Sequence, residues 1–373
     1  MKNASGEEIS KSVFLAGIRD KKMTRGEADS LAKELSSLVD TLGFSIASQE
    51  IVYVRESSAK YGMGVGKALE LAEKAASCKA DCIVFDRDIS PSQQRNWEEL
   101  AGMPVIDRQE LIIQIFASRA RTREAELQVS LAELFYALPR LKHKYIDLAR
   151  QRGGRYGTRG AGETRLETDR RSVEKQIHKL EEELEEVKRQ RQVQRQQRER
   201  RGIPICSLVG YTNSGKSSIL NALTGANVLT EDKLFATLDS TVRRKKLPLG
   251  REVLIVDTVG FIRRLPHSLI NAFRSTLEEV NHSDLILIVL DSADAEVEAQ
   301  YKTTLSVLSE LNAANIPVIT ILNKIDKLEA EGTLALLRSF PESVPISAAK
   351  GLGLEDLCQR IEKSLQQNFD RSL

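Results

Sequence analysis

Gly210, Tyr211, Thr212, Asn213, Ser214, Gly215, Lys216 and Ser217 read G-x-x-x-x-G-K-S, the spacing of a phosphate-binding loop. Glycines in such a loop let backbone N–H groups face a polyphosphate at the start of a helix. The apolar, β-branched run 203–209 before the loop reads as a buried strand, and 217–223 after it as the opening of a helix. In that context Lys216 reaches the β- and γ-phosphates, and the Ser217 hydroxyl becomes a ligand for Mg2+. A chance glycine-rich turn would carry the same letters, but three later motifs fall in the right order. Asp257, Thr258, Val259 and Gly260 follow the apolar run 253–256. An Asp there holds Mg2+, commonly through water, and the Gly260 N–H can meet a γ-phosphate. Asn323, Lys324, Ile325 and Asp326 follow the strand-like run 318–322. The Asp326 carboxylate can accept hydrogen bonds from guanine N1–H and the 2-amino group. Adenine offers neither and would leave a buried acceptor unpaired, which is a strong basis for rejection. Ser347, Ala348 and Ala349, with Lys350, come after a short strand ending at Ile346. Their backbone would contact the guanine carbonyl.

Together the four motifs resemble a GTPase of the Ras-like P-loop class, a binder of GTP and GDP. The expected nucleotide domain, 202–373, is α/β: a mostly parallel sheet with helices on both faces. Ahead of it, residues 12–106 alternate strand-like and helix-like stretches. Strands are expected at 12–18, 51–54, 80–86 and 104–106, with helices at 26–42, 67–77 and 91–100. That alternation predicts a small N-terminal α/β domain, 1–106, with a largely parallel sheet. Tyr61 to Lys67 form a second glycine-rich loop. It follows a polar stretch and lacks the full phosphate-loop pattern, so a turn with a basic contact is the stronger of its two readings.

The middle segment, 107–201, differs in charge. It is basic from 140 to 201, with 19 Lys+Arg against 11 Asp+Glu, whereas the residues on either side carry a small acidic excess. That segment is where a nucleic-acid partner would bind. A long helix is expected from Asp107 to about Arg150, with a bend at Pro139. Leu127, Leu131, Leu134 and Leu138 recur along it at helical spacing. A second helix from about Glu167 carries Val173, Ile177, Leu180, Leu184 and Val187 in the same rhythm. The two seams predict an antiparallel helical hairpin. A dimerising coiled coil is the competing reading, but the short seam and the intervening turn favour one chain, hence a monomer. Between the helices, residues 151–162 hold five glycines, three arginines (Arg152, Arg155, Arg159) and Tyr156. A tip of that composition can wrap a phosphate backbone and stack on an unpaired base. The bland reading is a merely flexible loop, although a plain hairpin needs fewer residues. The Gln/Arg-rich stretch 188–201 is either a solvated helix face and linker or a further RNA contact.

Bulk composition excludes little else. Hydrophobic content is 41% and charged content 29%, as in a globular protein. No apolar run reaches membrane-spanning length and no signal-peptide core follows Met1, so a cytoplasmic protein without stable membrane insertion is expected. Peripheral membrane association stays open. Cys78, Cys82, Cys206 and Cys358 have no metal-ligand spacing and read as reduced structural thiols.

Nearly the whole chain resembles the HflX family of ribosome-associated GTPases. The resemblance rests on DISPSQQRNWE at 88–98, Asp107-Arg108, IFASRA at 115–120, LQVSLAEL at 127–134 and LPRL at 138–141. It continues through GTRGAGETRLE at 157–167, DRR at 169–171, FATLD at 235–239 and DTVGFI at 257–262. Ala161 and Arg155 depart from the family pattern, and the extra C-terminal domain of some members is not represented. The resemblance implies a GTP-dependent factor on the large ribosomal subunit and its rRNA, linked to splitting or rescuing stalled ribosomes under stress. Some members also hydrolyse ATP. It further implies that Phe235, Ala236, Thr237, Leu238 and Asp239 form a switch, with Thr237 joining Ser217 on Mg2+. Thr241 is a second candidate for that role. Lys216, Thr237 and Gly260 are then the expected catalytic set.

Two functional readings remain. One is an enzyme with a mechanical output, docked by GTP and released by hydrolysis. The other is a GTP-gated assembly factor that binds RNA or the subunit without splitting anything. The hydrolysis step itself looks incomplete in sequence. Many Ras-like GTPases place a water-orienting Gln after Asp-x-x-Gly, but here Phe261 stands there. The missing help would come from the ribosome or from K+ held by Asn213. Asn213 could equally do no more than brace the loop.

Overall fold

The computed structural model describes residues 11–151, 159–199, 202–226, 231, 233–264, 269, 273 and 278–372. The chain folds as two compact units. One contains residues 1–118 and 129–182, the other residues 119–128 and 183–373.

The first unit is built on four parallel strands in the order β2-β1-β3-β4. They are β1 (Ser12–Arg19), β2 (Ser45–Tyr53), β3 (Cys82–Phe85) and β4 (Val105–Asp107). Helices α1 (Arg25–Thr41), α2 (Val65–Ser77) and α3 (Pro91–Ala101) connect them. β1 is apolar along both faces because it is central, and its six inner residues are all buried. β2 begins six residues before the expected 51–54. Its opening residues, Ser45 to Gln49, are exposed and show no alternation. Pairing with β1 from Ser12↔Ser45 onward, not side-chain pattern, makes them a strand.

Sequence chemistry sets the helix starts. Thr24 and Glu27 close a capping box at α1, and Ser90 with Gln93 another at α3, where Pro91 takes the first turn. Gly102 ends α3 in the left-handed region at φ 65°. This delivers Trp97 into the core at 0% exposure, its indole N–H donating to the Tyr61 carbonyl at 3.0 Å. The 61–67 loop is therefore tied inward. Tyr61 and Met63 are buried, and Lys67 donates to the Tyr53 carbonyl, giving the turn with a basic contact.

The long helix expected from Asp107 is two helices, α4 (Arg108–Arg119) and α5 (Arg123–Gln151). The break has a chemical cause. The Thr122 hydroxyl accepts from the Ala125 N–H at 3.2 Å, an N-cap that starts a new helix. Pro139 lies inside α5. The next helix, α6 (Arg159–Glu199), starts eight residues earlier than expected, so Arg159 to Gly162 are helical. Arg152, Arg155 and Tyr156 of the tip lie outside the described residues. Along the seams, Leu127, Leu131, Ile177 and Leu184 are buried. Arg123 at the start of α5 pairs with Glu183 at 2.5 Å, 60 residues on, as a chain that doubles back requires.

The second unit holds a six-stranded sheet, β10-β9-β8-β5-β7-β6, parallel except for β6 against β7. Its strands are β5 (Ile205–Gly210), β6 (Thr241–Lys246), β7 (Glu252–Asp257), β8 (Leu285–Asp291), β9 (Val318–Asn323) and β10 (Val344–Pro345). β5, β7 and β8 are nearly continuous apolar runs buried on both faces. The helices are α7 (Lys216–Thr224), α8 (Val297–Glu310), α9 (Ala330–Ser339) and α10 (Leu354–Ser372). Leu357, Cys358, Ile361 and Leu365 of α10 pack with Ile219, Leu220 and Leu223 of α7 in one core. Central parallel strands thus end together at β5, β7, β8 and β9, and their C-terminal ends carry the motif residues. This is where open α/β sheets place ligands.

Candidate nucleotide site

The phosphate loop links the end of β5 to α7. Gly215 adopts φ 93°, and a Cβ there would lie 2.2 Å from Asn323 Nδ2. Gly260 is equally confined, since its Cβ would meet Thr212 Cα at 2.7 Å and Lys216 Nζ at 2.9 Å. Gly215 is required by its left-handed backbone and the Asn323 side chain packed on it, and Gly260 by the close approach of the Thr212 backbone. Thr212 N donates to the Phe261 carbonyl at 2.8 Å, and Phe261 N donates to Gly210 O at 3.0 Å. The loop and the Asp257–Gly260 turn are thereby stitched together.

Lys216 is buried, and its ammonium donates to Tyr211 O at 2.9 Å and Gly210 O at 3.3 Å. Burial pushes its pKa down to about 8, with Asp257 opposing and Lys324 adding to the fall. A polyphosphate in the loop would supply the missing counter-charge. Asp257 is fully buried, and burial raises its carboxyl above the usual range, with Lys216 opposing. Ser217 Oγ donates to Asp257 Oδ2 at 2.5 Å and lies 2.7 Å from Thr237 Oγ1. Asp257 Oδ1 is buried with no partner.

These three residues fit a magnesium site. Neighbouring ligands of octahedral Mg2+, at about 2.0–2.1 Å from the ion, sit roughly 3 Å from one another. The Ser217 and Thr237 oxygens are close to that separation already, and the orphaned carboxylate oxygen suits a metal-bound water. No side chain need cross the site to complete it. Thr241, the other candidate, is the first residue of β6, paired opposite Asp257.

Around this centre the pocket is lined by Thr212, Asn213, Gly215, Lys216, Ser217, Phe235, Ala236, Thr237, Thr258 and Gly260. Ser218, Glu231 and Lys233 also line it and went unnoticed in sequence. The only sequence cue was a charged cluster ahead of the 235–239 motif. Other motif residues act from behind. Tyr211 is buried, with its hydroxyl accepting from Arg263 N at 2.8 Å, so only its backbone faces the site. Ser214, Val259 and Leu238 are buried. Asp239 accepts from the Thr122 hydroxyl. Phe261 is 1% exposed within a core that includes Val209 and Ile288. Its ring is packed away from the reaction as well as being chemically unsuited to it.

The base-recognition corner is tied to the loop by side chains. Asn323 Nδ2 donates to Ser214 O at 2.9 Å, and its Oδ1 accepts from Ala348 N at 3.2 Å. Lys324, left-handed at φ 64°, donates to Asn213 O at 2.8 Å and to Asp291 Oδ2 at 2.7 Å. Asn213 is itself left-handed at φ 61°. The Ser347 hydroxyl donates to Asp326 Oδ1 at 2.5 Å, and Lys350 N donates to the same hydroxyl at 3.1 Å. Ile325 N reaches Ile346 O at 3.3 Å, while Ala349 and Asp326 are exposed. The acceptor expected to be buried is therefore left exposed by the protein's own side chains. Any penalty on the wrong base must come from the base covering it.

A six-stranded, mainly parallel sheet, a phosphate loop opening a helix, and the Asn323–Asp326 turn braced against that loop define a P-loop GTPase. Family models match the chain in three blocks. A GTP-binding GTPase N-terminal region matches at 29–117, a GTP-binding GTPase middle region at 119–198, and a 50S ribosome-binding GTPase at 205–324. The chain belongs to the HflX family of GTPases and is a GTP hydrolase. It is 44% identical to GTPase HflX of Akkermansia muciniphila over 93% of this chain and 82% of that one. It is also 44% identical to GTPase HflX of Escherichia coli, over 89% and 78%. Among solved structures, a GTP-binding protein from Sulfolobus solfataricus in complex with GDP aligns at 26% identity, covering 96% of this chain and 99% of that one with a TM-score of 0.48.

Proposed function

We propose that this GTPase binds the large ribosomal subunit and couples GTP binding and hydrolysis to splitting or rescuing stalled ribosomes under stress, in the cytoplasm. The observation that carries this reading is the match of its nucleotide domain to a family described as 50S ribosome-binding. The confinement of basic excess to residues 140–201 supports it, because rRNA binding is driven by phosphate contacts. In this reading three segments divide the work. Residues 202–373 hold GTP, 107–201 reach RNA with the tip, and 1–106 form the N-terminal α/β domain.

Lys216 neutralises β- and γ-phosphate charge, Ser217 and Thr237 hold Mg2+, and Asp257 orients its water. That ion, when bound, shields the charge that develops on the transferred phosphoryl group. Gly260 offers its N–H to the γ-phosphate, and Asp326 selects guanine. With Phe261 buried, the free protein lacks a water-orienting side chain at that position, so hydrolysis is slow until large subunits order the switch. K+ at Asn213 is a second, separable source of stimulation.

Assembled ribosomes incubated with the protein and GTP, or a non-hydrolysable analogue, and then sedimented test the reading. Free subunits are expected. Binding without dissociation would favour a GTP-gated assembly factor instead, and absence of binding would remove the ribosome from the account.

A further inference from the structure

Thr237 meets Ser217 at 2.7 Å between their hydroxyl oxygens, and side chains outside the phosphate pocket hold the segment that carries Thr237. Two contacts inside the second unit grip that segment on both sides. On the near side, Arg119 Nη2 pairs with Glu231 Oε2 at 2.6 Å. On the far side, the Thr122 hydroxyl donates to Asp239 Oδ1. Glu231 lines the phosphate pocket, and Asp239 is two residues past Thr237. Arg119 and Thr122 are themselves only three residues apart, at the break between α4 and α5. The Thr122 hydroxyl is fixed in direction, because it accepts from Ala125 N while donating to Asp239. The Arg119 side chain is 15% exposed and that of Glu231 32%, so the pair is partly shielded from solvent. A short, capped corner of the chain therefore clamps 231–239, and the clamp closes around the residue that shares the metal site.

We propose that Arg119 and Thr122 are positioning residues for GTP hydrolysis, which hold the switch segment so that Thr237 stays beside Ser217. The inference rests on Thr237 acting as a magnesium ligand. Neither residue lines the phosphate pocket. Their contribution is to favour the nucleotide state in which Thr237 has work to do, that with a γ-phosphate, over the diphosphate state.

The test measures affinity for Mg2+ with a non-hydrolysable GTP analogue and for Mg2+ with GDP, in the full chain, and takes their ratio. Arg119→Gln should lower the preference for the analogue by about fivefold, with GDP affinity unchanged. Arg119→Lys, which keeps a cation in reach of Glu231, should recover most of the preference and guards against a folding artefact. Thr237→Ala should lower the preference by itself, and adding Arg119→Gln to it should cost nothing more. A wild-type ratio in Arg119→Gln, beside a lowered ratio in Thr237→Ala, overturns the clamp alone. So does an equal loss in Arg119→Lys, or a further loss on adding Arg119→Gln to Thr237→Ala. A wild-type ratio in Thr237→Ala overturns the magnesium role of Thr237, and the clamp's purpose with it.

Discussion

At the scale of single residues, the proposed function makes nucleotide choice turn on Asp326. One of its oxygens is committed to Ser347, which fixes the carboxylate's direction in an otherwise exposed site. Asp326→Asn exchanges an acceptor for a donor. GTP affinity should fall about ten- to a hundredfold, and xanthosine triphosphate should gain in compensation. Competition binding of the two nucleotides checks this, and unchanged GTP affinity would remove Asp326 from the base contact. Gly215→Ala should be nearly as damaging for a different reason. Its Cβ would strike Asn323 Nδ2 and break the tie to Ser214 in a left-handed position. Strain of about 1–3 kcal/mol, if relieved only in the variant's unbound loop, corresponds to a loss of nucleotide affinity of roughly five- to a hundredfold by titration. Both residues were legible in sequence, because phosphate and guanine chemistry demand fixed residue types at short spacing. Glu231, Lys233 and Arg119 were not legible. A partner 112 residues away in the chain leaves no local pattern.

At the scale of elements, caps account for what could be read and partners for what could not. The DISPSQQ stretch specifies the start of α3 through Ser90, Pro91 and Gln93. Ser90→Ala should destabilise the protein by about 1 kcal/mol in a urea titration, while leaving GTP binding intact. β2 escaped the sequence reading over its first half because its edge residues owe their conformation to β1. The split between α4 and α5 escaped too, because one Thr with apolar periodicity on either side looks like helix interior. Between the two hairpin helices expected from sequence, replacing Arg152, Arg155 and Arg159 with Ala should weaken binding to large subunits and flatten its salt dependence by roughly three phosphate contacts' worth of slope. GTP binding should persist. Equal subunit affinity at every salt concentration would leave the tip a mere connector.

At the scale of the whole molecule, the nucleotide motifs and the basic excess are segregated in sequence. Nucleotide chemistry lies in an acidic C-terminal segment and the cationic excess in the middle one. Among the described residues no helix is long and apolar enough to cross a membrane. Lys216 is buried in the loop and the Ser217 and Thr237 hydroxyls lie together, yet Phe261 is sealed in the core where a water-orienting group would stand. On the proposed reading, such a site binds GTP well and hydrolyses it poorly until a partner completes it. The most direct measurement is therefore the single-turnover GTP hydrolysis rate, taken with and without purified large ribosomal subunits in K+ and in Na+. The account predicts a slow rate alone and a rise of at least about tenfold with subunits, with any further difference between the salts assigned to Asn213. Fast hydrolysis by the free protein in both salts, unaffected by subunits, would contradict it.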